Sequence, residues 1–330
     1  MVCGLIVAVI IGSTRGAPYQ AELTPDAAEA THFLHQRLNR TGVLGQKGLT
    51  INRVLATGRI VNIARATYNR DIAKRTIRAE HRAFKTLRQA EIDPRDVAIS
   101  GRQFVVRSFH EFGYYYNYCF IMSSGGEKSL KKYVAKMTLE EKVKHLSRLL
   151  KHVVKGVAYM HRIGIVHNDI KPENIAVNAT YAAYPRAHIL DMDLAASIPY
   201  TADAIIEKRG LVGTGLYMAP ECYSEAAYNP HKKDAWAIGA SFYAVLFGKP
   251  VVPAATQAEL KRKMSALRTQ GLAASTFEID AEPEIEEELE ELVKRIKALL
   301  APRFEDRPTP NEYLETFRIN AASIGTVQAQ

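Results

Sequence analysis

The residues best suited to chemistry lie in one short stretch, His167-Asn168-Asp169-Ile170-Lys171-Pro172-Glu173-Asn174. A carboxylate at Asp169 can accept a proton from a hydroxyl group, and an ammonium group at Lys171 can stabilise a neighbouring anion. An amide oxygen at Asn174 can bind a hard cation, and its position five residues after Asp169 lets the chain fold back toward that carboxylate. The stretch therefore predicts a site that combines proton transfer with the stabilisation of negative charge.

This stretch resembles the catalytic loop of the protein kinase family, H-R-D-L-K-P-E-N, and matches it at six of eight positions. The resemblance implies that Asp169 is the catalytic base, that Lys171 steadies the transferring phosphoryl group and that Asn174 holds a Mg²⁺ ion. The sequence Lys-Pro-Glu-Asn is typical of the Ser/Thr branch. Asn168 replaces an arginine that pairs with a phosphate on the activation segment in the family, so we expect activity that does not depend on phosphorylation there.

A second acidic motif follows, Ile189-Leu190-Asp191-Met192-Asp193-Leu194-Ala195, in which Asp191 lies seventeen residues after Asn174. It is similar to the family's D-F-G-L-A, which implies that Asp191 is the metal carboxylate. Asp193 stands in the place of the glycine. A shifted alignment would make Asp193 the ligand instead, but the position of Leu194-Ala195 favours Asp191.

Residues 213–221, Gly-Thr-Gly-Leu-Tyr-Met-Ala-Pro-Glu, resemble the end of the kinase activation segment. Glu221 needs a buried cationic partner, because an isolated buried carboxylate is costly, and Arg307 matches the family's distant arginine for that role. Residues 234–239 resemble the family motif D-x-W-x-x-G. We expect these three sites to be structural.

The front part of the chain matches the family more loosely. Residues 55–63 align with the glycine-rich loop, but only the central glycine, Gly58, is retained. Ile72-Ala73-Lys74 resembles V-A-I-K, which implies that Lys74 holds the α- and β-phosphates of ATP, with Arg75 as a competing alignment. Glu80 is the predicted partner of Lys74, and Glu91 is the alternative.

Residues 118–126 resemble the kinase hinge. The resemblance implies that Met122 is the gatekeeper and that Ser123 and Ser124 lend backbone groups to adenine. The resemblance to the kinase family as a whole covers residues 49–318. It implies an N-lobe at 49–122, a hinge at 123–126 and a C-lobe at 127–318. Residues 319–330 are predicted to be a flexible tail.

The elements that must position these residues follow from hydrophobic periodicity. Strands are predicted at residues 49–55, 60–67, 70–77, 104–109 and 118–122, and helices at 78–92, 139–162, 234–247 and 284–300. A strand-rich front followed by a helix-rich back predicts an α+β chain with two lobes. The resemblance makes this a bilobal protein kinase-like fold, with a small β-rich N-lobe, a large helical C-lobe and ATP in the cleft.

The N-terminus carries an apolar run, because residues 5–11 are uninterrupted apolar and residues 1–11 hold no charged side chain. A span of roughly ten residues is too short to cross a bilayer but has the length of a signal-peptide core. We therefore predict a signal peptide at 1–16, cleaved after Gly16, and a linker at 17–48. A buried strand is the alternative. The predicted location is secreted or secretory, including action inside a host cell, and a cytoplasmic location is the alternative.

Composition places the chain in the ordinary globular range. It has 330 residues, 44 Lys and Arg against 35 Asp and Glu, a net charge of +9 and a mean hydropathy of −0.16. These values exclude collagen, coiled coil and disorder throughout, and three cysteines cannot build a disulfide framework.

The predicted function is a Ser/Thr protein kinase that uses ATP and Mg²⁺ on a protein substrate. We expect no nucleic-acid partner, no membrane span and a monomer. The alternatives are a pseudokinase acting as a binding module, and a kinase of small molecules.

Overall fold

The computed structural model describes the backbone of residues 6–13, 50–54, 60–66, 70–90, 101–106, 108–114, 117–123, 125–126, 128–179, 184–207, 211–223, 227–279 and 282–316. Side chains are described for residues 78–90, 101–106 and the ranges from 125 onward. The chain forms two compact units. The first comprises Met1–Ile92 and Val106–Gly125, and the second comprises Asp93–Val105 and Gly126–Gln330.

The first unit contains a five-stranded sheet and a helix. The strands are β1 (Ile6–Ser13), β2 (Thr50–Val54), β3 (Ile60–Ala66), β4 (Ser108–Tyr114) and β5 (Asn117–Ser123), and the helix is α1 (Arg70–Gln89). Their order in the sheet is β2-β3-β1-β5-β4. β1 runs parallel to β3 and antiparallel to β5, and the remaining pairs are antiparallel. The strands predicted at 49–55, 60–67 and 118–122 are confirmed.

The strand predicted at residues 70–77 is wrong, because this segment is the first half of α1. The apolar spacing explains the helix: Ala73, Ile77, Phe84 and Leu87 follow a 4-3-4-3 pattern in which Glu80 fills the middle position. The prediction divided this continuous pattern at residue 77 into a strand, 70–77, and a helix, 78–92. The strand predicted at 104–109 is also largely wrong, since Gly101–Phe104 is a 3-10 helix and β4 begins at Ser108.

The N-terminal apolar run forms β1, between β3 and β5. The sequence allowed a strand here as the alternative to a signal-peptide core, and the backbone of residues 6–13 forms one. The structure includes residues 6–13 and does not test cleavage after Gly16, which stays a prediction.

The second unit is mainly helical. Its helices are α2 (Leu130–Val134), α3 (Leu139–Arg162), α4 (Pro230–Phe247), α5 (Gln257–Gln270) and α6 (Glu286–Leu299). The helix predicted at 139–162 is confirmed with the same bounds. The helix predicted at 234–247 begins earlier, because Asn229 caps the N–H groups of His231 and Lys232 and Pro230 suits the first turn.

Helices α3 and α4 form the core of the second unit. A reciprocal capping box between Thr138 and Glu141 starts α3. Its predicted apolar face is buried as expected: Val143, Leu146, Leu149, Leu150, Val153, Val154, Val157 and Met160. Burial of each large apolar side chain contributes about 1.5–3 kcal/mol, so this face anchors the unit. α4 is buried on nearly all sides, and Trp236 is 0% exposed.

Two small sheets lie beside these helices. The first contains β6 (Lys128–Ser129), β8 (Ile175–Asn178) and β9 (Arg186–Ile189), and the second pairs β7 (Ile165–Val166) with β10 (Ala196–Ser197). In the β8–β9 ladder Ile175 lies opposite Ile189, and the Leu190 N–H donates to the Asn174 carbonyl at 2.9 Å. The ladder therefore brings the start of β8 and the end of β9 together.

The predicted α+β class is confirmed. Within the described ranges, no helix has the length and apolar character that crossing a membrane requires.

Candidate active site

The loop from His167 to Asn174 connects β7 to β8 and is fixed by Asp234, near the start of α4. The Asp234 carboxylate is 0% exposed. It accepts hydrogen bonds from the backbone N–H of His167 at 2.8 Å, the backbone N–H of Asn168 at 2.9 Å and His161 Nε2 at 3.0 Å. Burial raises the pKa of Asp234, but the hydrogen bond from His161 and the nearby Lys233 ammonium group outweigh it and hold the pKa below its usual value. An ionised carboxylate in the core thus anchors the loop.

His167 links this loop to the segment after β9. Its Nδ1 accepts from the Asp169 N–H at 3.2 Å, so the neutral ring carries its proton on Nε2. That Nε2–H donates to the Leu190 carbonyl at 2.9 Å. The imidazole therefore fixes the backbone on both sides of the site.

The Asp169 carboxylate lies at the centre of the site and contacts three other side chains. Oδ1 accepts from the Thr214 backbone N–H at 2.9 Å and from the Thr214 hydroxyl at 2.7 Å. Oδ2 accepts from Lys171 Nζ at 2.5 Å and from Asn174 Nδ2 at 3.3 Å. Lys171 Nζ also donates to the Thr214 hydroxyl at 3.0 Å. The structure thus brings together Asp169, Lys171 and Asn174 as predicted, and adds Thr214 as a direct contact.

These contacts set the charge states of Asp169 and Lys171. Burial raises the pKa of Asp169, but the hydrogen bonds from Lys171 and Thr214 outweigh it and hold the pKa below its usual value. Burial lowers the pKa of Lys171, but the Asp169 hydrogen bond and three nearby carboxylates hold it above the usual value. Both groups are therefore charged at neutral pH.

Asn174 and Asp191 are the predicted metal ligands, and the β8–β9 ladder places them at the same end. Asn174 donates through Nδ2 to the Asp169 carbonyl at 3.0 Å, which leaves its Oδ1 as the atom able to bind a cation. Asp191 has a φ of 65°, a conformation that Asp and Asn tolerate better than other side chains except glycine. The described residues contain no group of three or more His, Cys, Asp and Glu side chains arranged around a metal. One carboxylate and one amide suit Mg²⁺, which usually binds through one or two carboxylates and completes its shell with water and substrate phosphates.

Asp193, at the family's glycine position, contacts Asp191. Burial, the Asp191 charge and a hydrogen bond shared with Asp191 raise the pKa of Asp193 to about 7. Asp169 adds to this repulsion, and Lys171 opposes it. Two adjoining carboxylates with one cationic side chain nearby form a site whose charge favours a bound cation, and this fits the implied Mg²⁺.

The segment that contains Thr214 passes close to the catalytic loop. Gly213 has a φ of 118°, and a Cβ there would lie 2.6 Å from the Asn168 carbonyl oxygen. Glycine is therefore required at this position, because any side chain would push the segment away from the loop.

Asn168 adopts a φ of 69°, a left-handed conformation that asparagine tolerates well. Its Nδ2 donates to the Leu194 carbonyl at 3.0 Å, and its Oδ1 accepts from Lys233 Nζ at 3.1 Å. Lys233 is not among the residues predicted from the sequence. Its signal is a charged residue where the predicted buried helix begins.

The predicted pair of Glu221 and Arg307 is confirmed. Arg307 Nη1 and Nη2 donate to Oε1 and Oε2 of Glu221 at 2.7 and 3.1 Å. The guanidinium also donates to the carbonyls of Lys232 and Ala301, and lies 5.0 Å from the Trp236 ring. This pair ties the end of the activation segment to α4.

The structure does not support the predicted roles of Lys74 and Glu80 in the first unit. Lys74 lies in α1 and not on a strand, so the structural context that its resemblance to V-A-I-K requires is absent. Arg75, the competing alignment, lies in the same helix. Glu80 is buried in α1, 1% exposed, but positions six residues apart on one helix are not neighbours, so the spacing does not favour a Lys74–Glu80 pair.

The other predicted nucleotide contacts are only partly described. Met122 lies on β5, and only its backbone is described. Gly58, Ser124 and the alternative glutamate, Glu91, lie outside the described residues.

Comparison with known proteins identifies relatives. The profile of the protein kinase domain family matches residues 56–317. Calcium-dependent protein kinase 4 from Plasmodium falciparum is 26% identical over 150 residues, which cover 46% of this chain and 26% of that protein. The protein of the same name from Plasmodium berghei gives the same values. Serine/threonine-protein kinase GRIK1 from Arabidopsis thaliana is 31% identical over 102 residues, 31% of this chain and 24% of that protein.

The matched stretches thus span about a quarter of the length of these relatives. The family match is much broader, since it covers most of the chain and includes the catalytic loop, the acidic motif at 189–195 and the Glu221–Arg307 pair. The α+β protein kinase fold predicted from the sequence is confirmed, and the chain belongs to the protein kinase family.

Proposed function

We propose that this chain is a Ser/Thr protein kinase that transfers the γ-phosphoryl group of ATP to a hydroxyl group of a protein. The observation that carries the proposal is the Asp169 carboxylate, which is ionised, buried and held on both oxygens by Lys171, Thr214 and Asn174. A fixed carboxylate beside an ammonium group can accept the hydroxyl proton while the cation stabilises the transferring group. The relatives with kinase names support the reaction class.

In the proposed reaction, the substrate oxygen forms a bond to the γ-phosphorus while the bond to the β–γ bridging oxygen breaks. The hydroxyl proton passes to Asp169, and ADP takes the electron pair of the broken bond. Lys171 offsets the charge on the transferring oxygens. Asn174 and Asp191 would hold Mg²⁺, which neutralises charge on the phosphates when it is bound.

The geometry adds a requirement for substrate binding. Four donors contact the two oxygens of Asp169, which offer about four lone-pair sites. An incoming hydroxyl must therefore displace one donor. The longest contact, from Asn174 Nδ2 at 3.3 Å, is the easiest to give up.

The proposed activity does not depend on phosphorylation of the activation segment. Asn168 carries no charge with which to bind a phosphate, and both ends of its amide are used by Leu194 and Lys233. Treating the purified chain with a phosphatase should therefore leave its activity unchanged. A large loss of activity would contradict this part of the proposal.

The central test compares wild type with Asp169→Ala in a radiolabelled ATP assay across general protein substrates. We expect a decrease in transfer of roughly 10²–10⁴-fold, because general base catalysis contributes about that factor. Asp203→Ala, at an exposed position of the same unit, is the matched control and should retain wild-type activity. Label transfer that survives Asp169→Ala would refute the assignment of the base.

The second candidate is a pseudokinase, a binding module without turnover. The position of Lys74 in α1 favours it, because the family's phosphate-binding lysine then has no counterpart at the predicted place. A thermal-shift measurement with ATP and Mg²⁺ separates the candidates. A stabilised wild type that transfers no label would favour the binding module.

We also propose that the chain enters the secretory route. The apolar run at residues 5–11 and the small residues before position 17 support this proposal. Sequencing the mature N-terminus of a C-terminally tagged chain tests it. A mature chain that begins at Ala17 would support it, and an intact Met1 would contradict it.

A further inference from the structure

Lys233 is a buried lysine with an unusual set of partners. It is 3% exposed, and it follows the N-cap and first turn of α4. Its Nζ donates to Asn168 Oδ1 at 3.1 Å and to the Val212 carbonyl at 2.9 Å, and it lies 5.9 Å from the Tyr228 ring. Among the described residues, no carboxylate lies within 4.0 Å of this ammonium group.

Burying an ammonium group that has no carboxylate in direct contact is costly, so its hydrogen bonds to neutral oxygens must contribute strongly. The two oxygens it binds belong to different segments. Asn168 is in the catalytic loop, and Val212 directly precedes Gly213 and Thr214. One cation therefore joins the catalytic loop to the segment that supplies Thr214 to Asp169.

The Lys233 bridge between Asn168 and Val212 lies next to the contacts between Thr214 and the catalytic carboxylate. Gly213 passes so close to the Asn168 carbonyl that a side chain would not fit. The next residue, Thr214, donates both its backbone N–H and its hydroxyl to Asp169 Oδ1. A small movement of Val212 away from the loop would therefore break contacts of the catalytic carboxylate.

We propose that Lys233 is a positioning residue that holds residues 212–214 against the catalytic loop through Asn168, without any phosphate group. The positive charge that orders this segment is on a side chain of α4. Asn168, which is neutral, accepts a hydrogen bond from that charged group. Lys233 acts on the reaction only through Val212, Asn168 and Thr214. The kinetic part of this inference rests on the proposed function, but the structural part does not.

The test measures backbone amide hydrogen exchange of residues 211–217 in the full chain for wild type, Lys233→Met and Lys232→Met. Methionine keeps the length of the side chain but removes its charge and donors. Lys232→Met is the matched control, because Lys232 is adjacent and its Nζ contacts only the exposed Glu305 carbonyl among the described residues. We expect exchange to rise about tenfold or more in Lys233→Met, since hydrogen bonds to charged groups are the strong ones, and to stay unchanged in the control.

Kinetics provide the second readout. Lys233→Met should lower kcat about tenfold or more and leave KM for ATP within about twofold, because Lys233 donates to Asn168 and Val212 and acts on Asp169 only through Thr214. Lys233→Arg, which keeps the charge, should recover part of kcat. A KM effect with unchanged kcat would contradict a positioning role.

Other outcomes overturn the inference directly. Exchange of residues 211–217 that is identical in wild type and Lys233→Met would refute the bridge. If Lys233→Met fails to fold, Asn168→Ala provides the same measurement, because it removes one acceptor and keeps the lysine. If wild type shows no phosphoryl transfer, the proposed function fails, but the exchange experiment still decides whether Lys233 orders the segment.

Discussion

Removing the Asp234 carboxylate should both destabilise the second unit and impair the site. Asp234→Ala deletes a fully buried acceptor of three hydrogen bonds and leaves the N–H groups of His167 and Asn168 without it. Each hydrogen bond to a charged group contributes about 1.5–3 kcal/mol, but three bonds to one carboxylate are not additive. Breaking a buried charged pair costs about 3–5 kcal/mol, and we take this range as the expected loss.

The assay is urea unfolding monitored by the fluorescence of the single Trp236, which lies in the same helix. Asp234→Asn is the second variant, because it keeps the size and one oxygen but turns an amide N–H toward a donor. It should lose somewhat less stability than Asp234→Ala. The exposed Asp203→Ala should stay within about 0.5 kcal/mol of wild type.

The pH dependence gives an independent check. The pKa of Asp234 is lower in the folded chain than its ordinary value of 3.8. Its contribution is therefore present above pH 4 and is lost as the pH falls through the folded pKa. The stability difference between wild type and Asp234→Ala should shrink in that acidic range. A difference below about 1 kcal/mol at pH 7 would refute the role of Asp234 as the anchor of the loop.

Three further predictions concern other groups of the second unit. Thr214→Val removes the hydroxyl that contacts Asp169 and should lower kcat about 10–100-fold in a steady-state assay, with little change in melting temperature. Unchanged kcat would show that the backbone N–H alone suffices. Asp193 has a folded pKa of about 7 against 3.8, so wild type should lose stability relative to Asp193→Asn as the pH rises from 4 to 7, with a constant difference above 7. Melting curves across this range test it, and a parallel pH profile would contradict it. Arg307→Met removes the guanidinium partner of Glu221 and should cost about 3–5 kcal/mol in urea unfolding, more than Glu221→Gln, which leaves the carbonyl contacts of Arg307 in place.

The catalytic loop could be predicted from the sequence because its groups lie within eight residues. Asp169, Lys171 and Asn174 converge through the fold of that short loop, and their chemistry follows from their residue types. The Glu221–Arg307 pair could also be predicted, because a buried carboxylate requires a cation and the resemblance to the kinase family implies that Arg307 supplies it. The long helix α3 was predictable from its periodicity and its cap.

Other features could not be derived from local pattern. Residues 70–77 are too short a window to separate a strand from a helix, and only the 4-3 spacing continued to residue 87 distinguishes the helix. The local signal of Lys233, a charge beside the start of the predicted buried helix, does not identify its partners, because Asn168 and Val212 are 65 and 21 residues away in sequence. Such contacts depend on tertiary packing, which no window of sequence contains.

The position of Lys233 and Asp234 on α4 explains how one helix can orient two parts of the site. Consecutive residues on a helix point about 100° apart, so the two side chains can reach different targets from one turn. Asp234 binds the backbone of the catalytic loop, and Lys233 binds Asn168 and Val212. Because Trp236 packs α4 deep in the core, this turn has little freedom to move. Catalytic groups must be held within a fraction of an ångström, and a rigid buried helix meets that requirement better than a loop. The Asp169–Thr214 contact therefore depends on the core of the second unit as much as on the loop residues themselves.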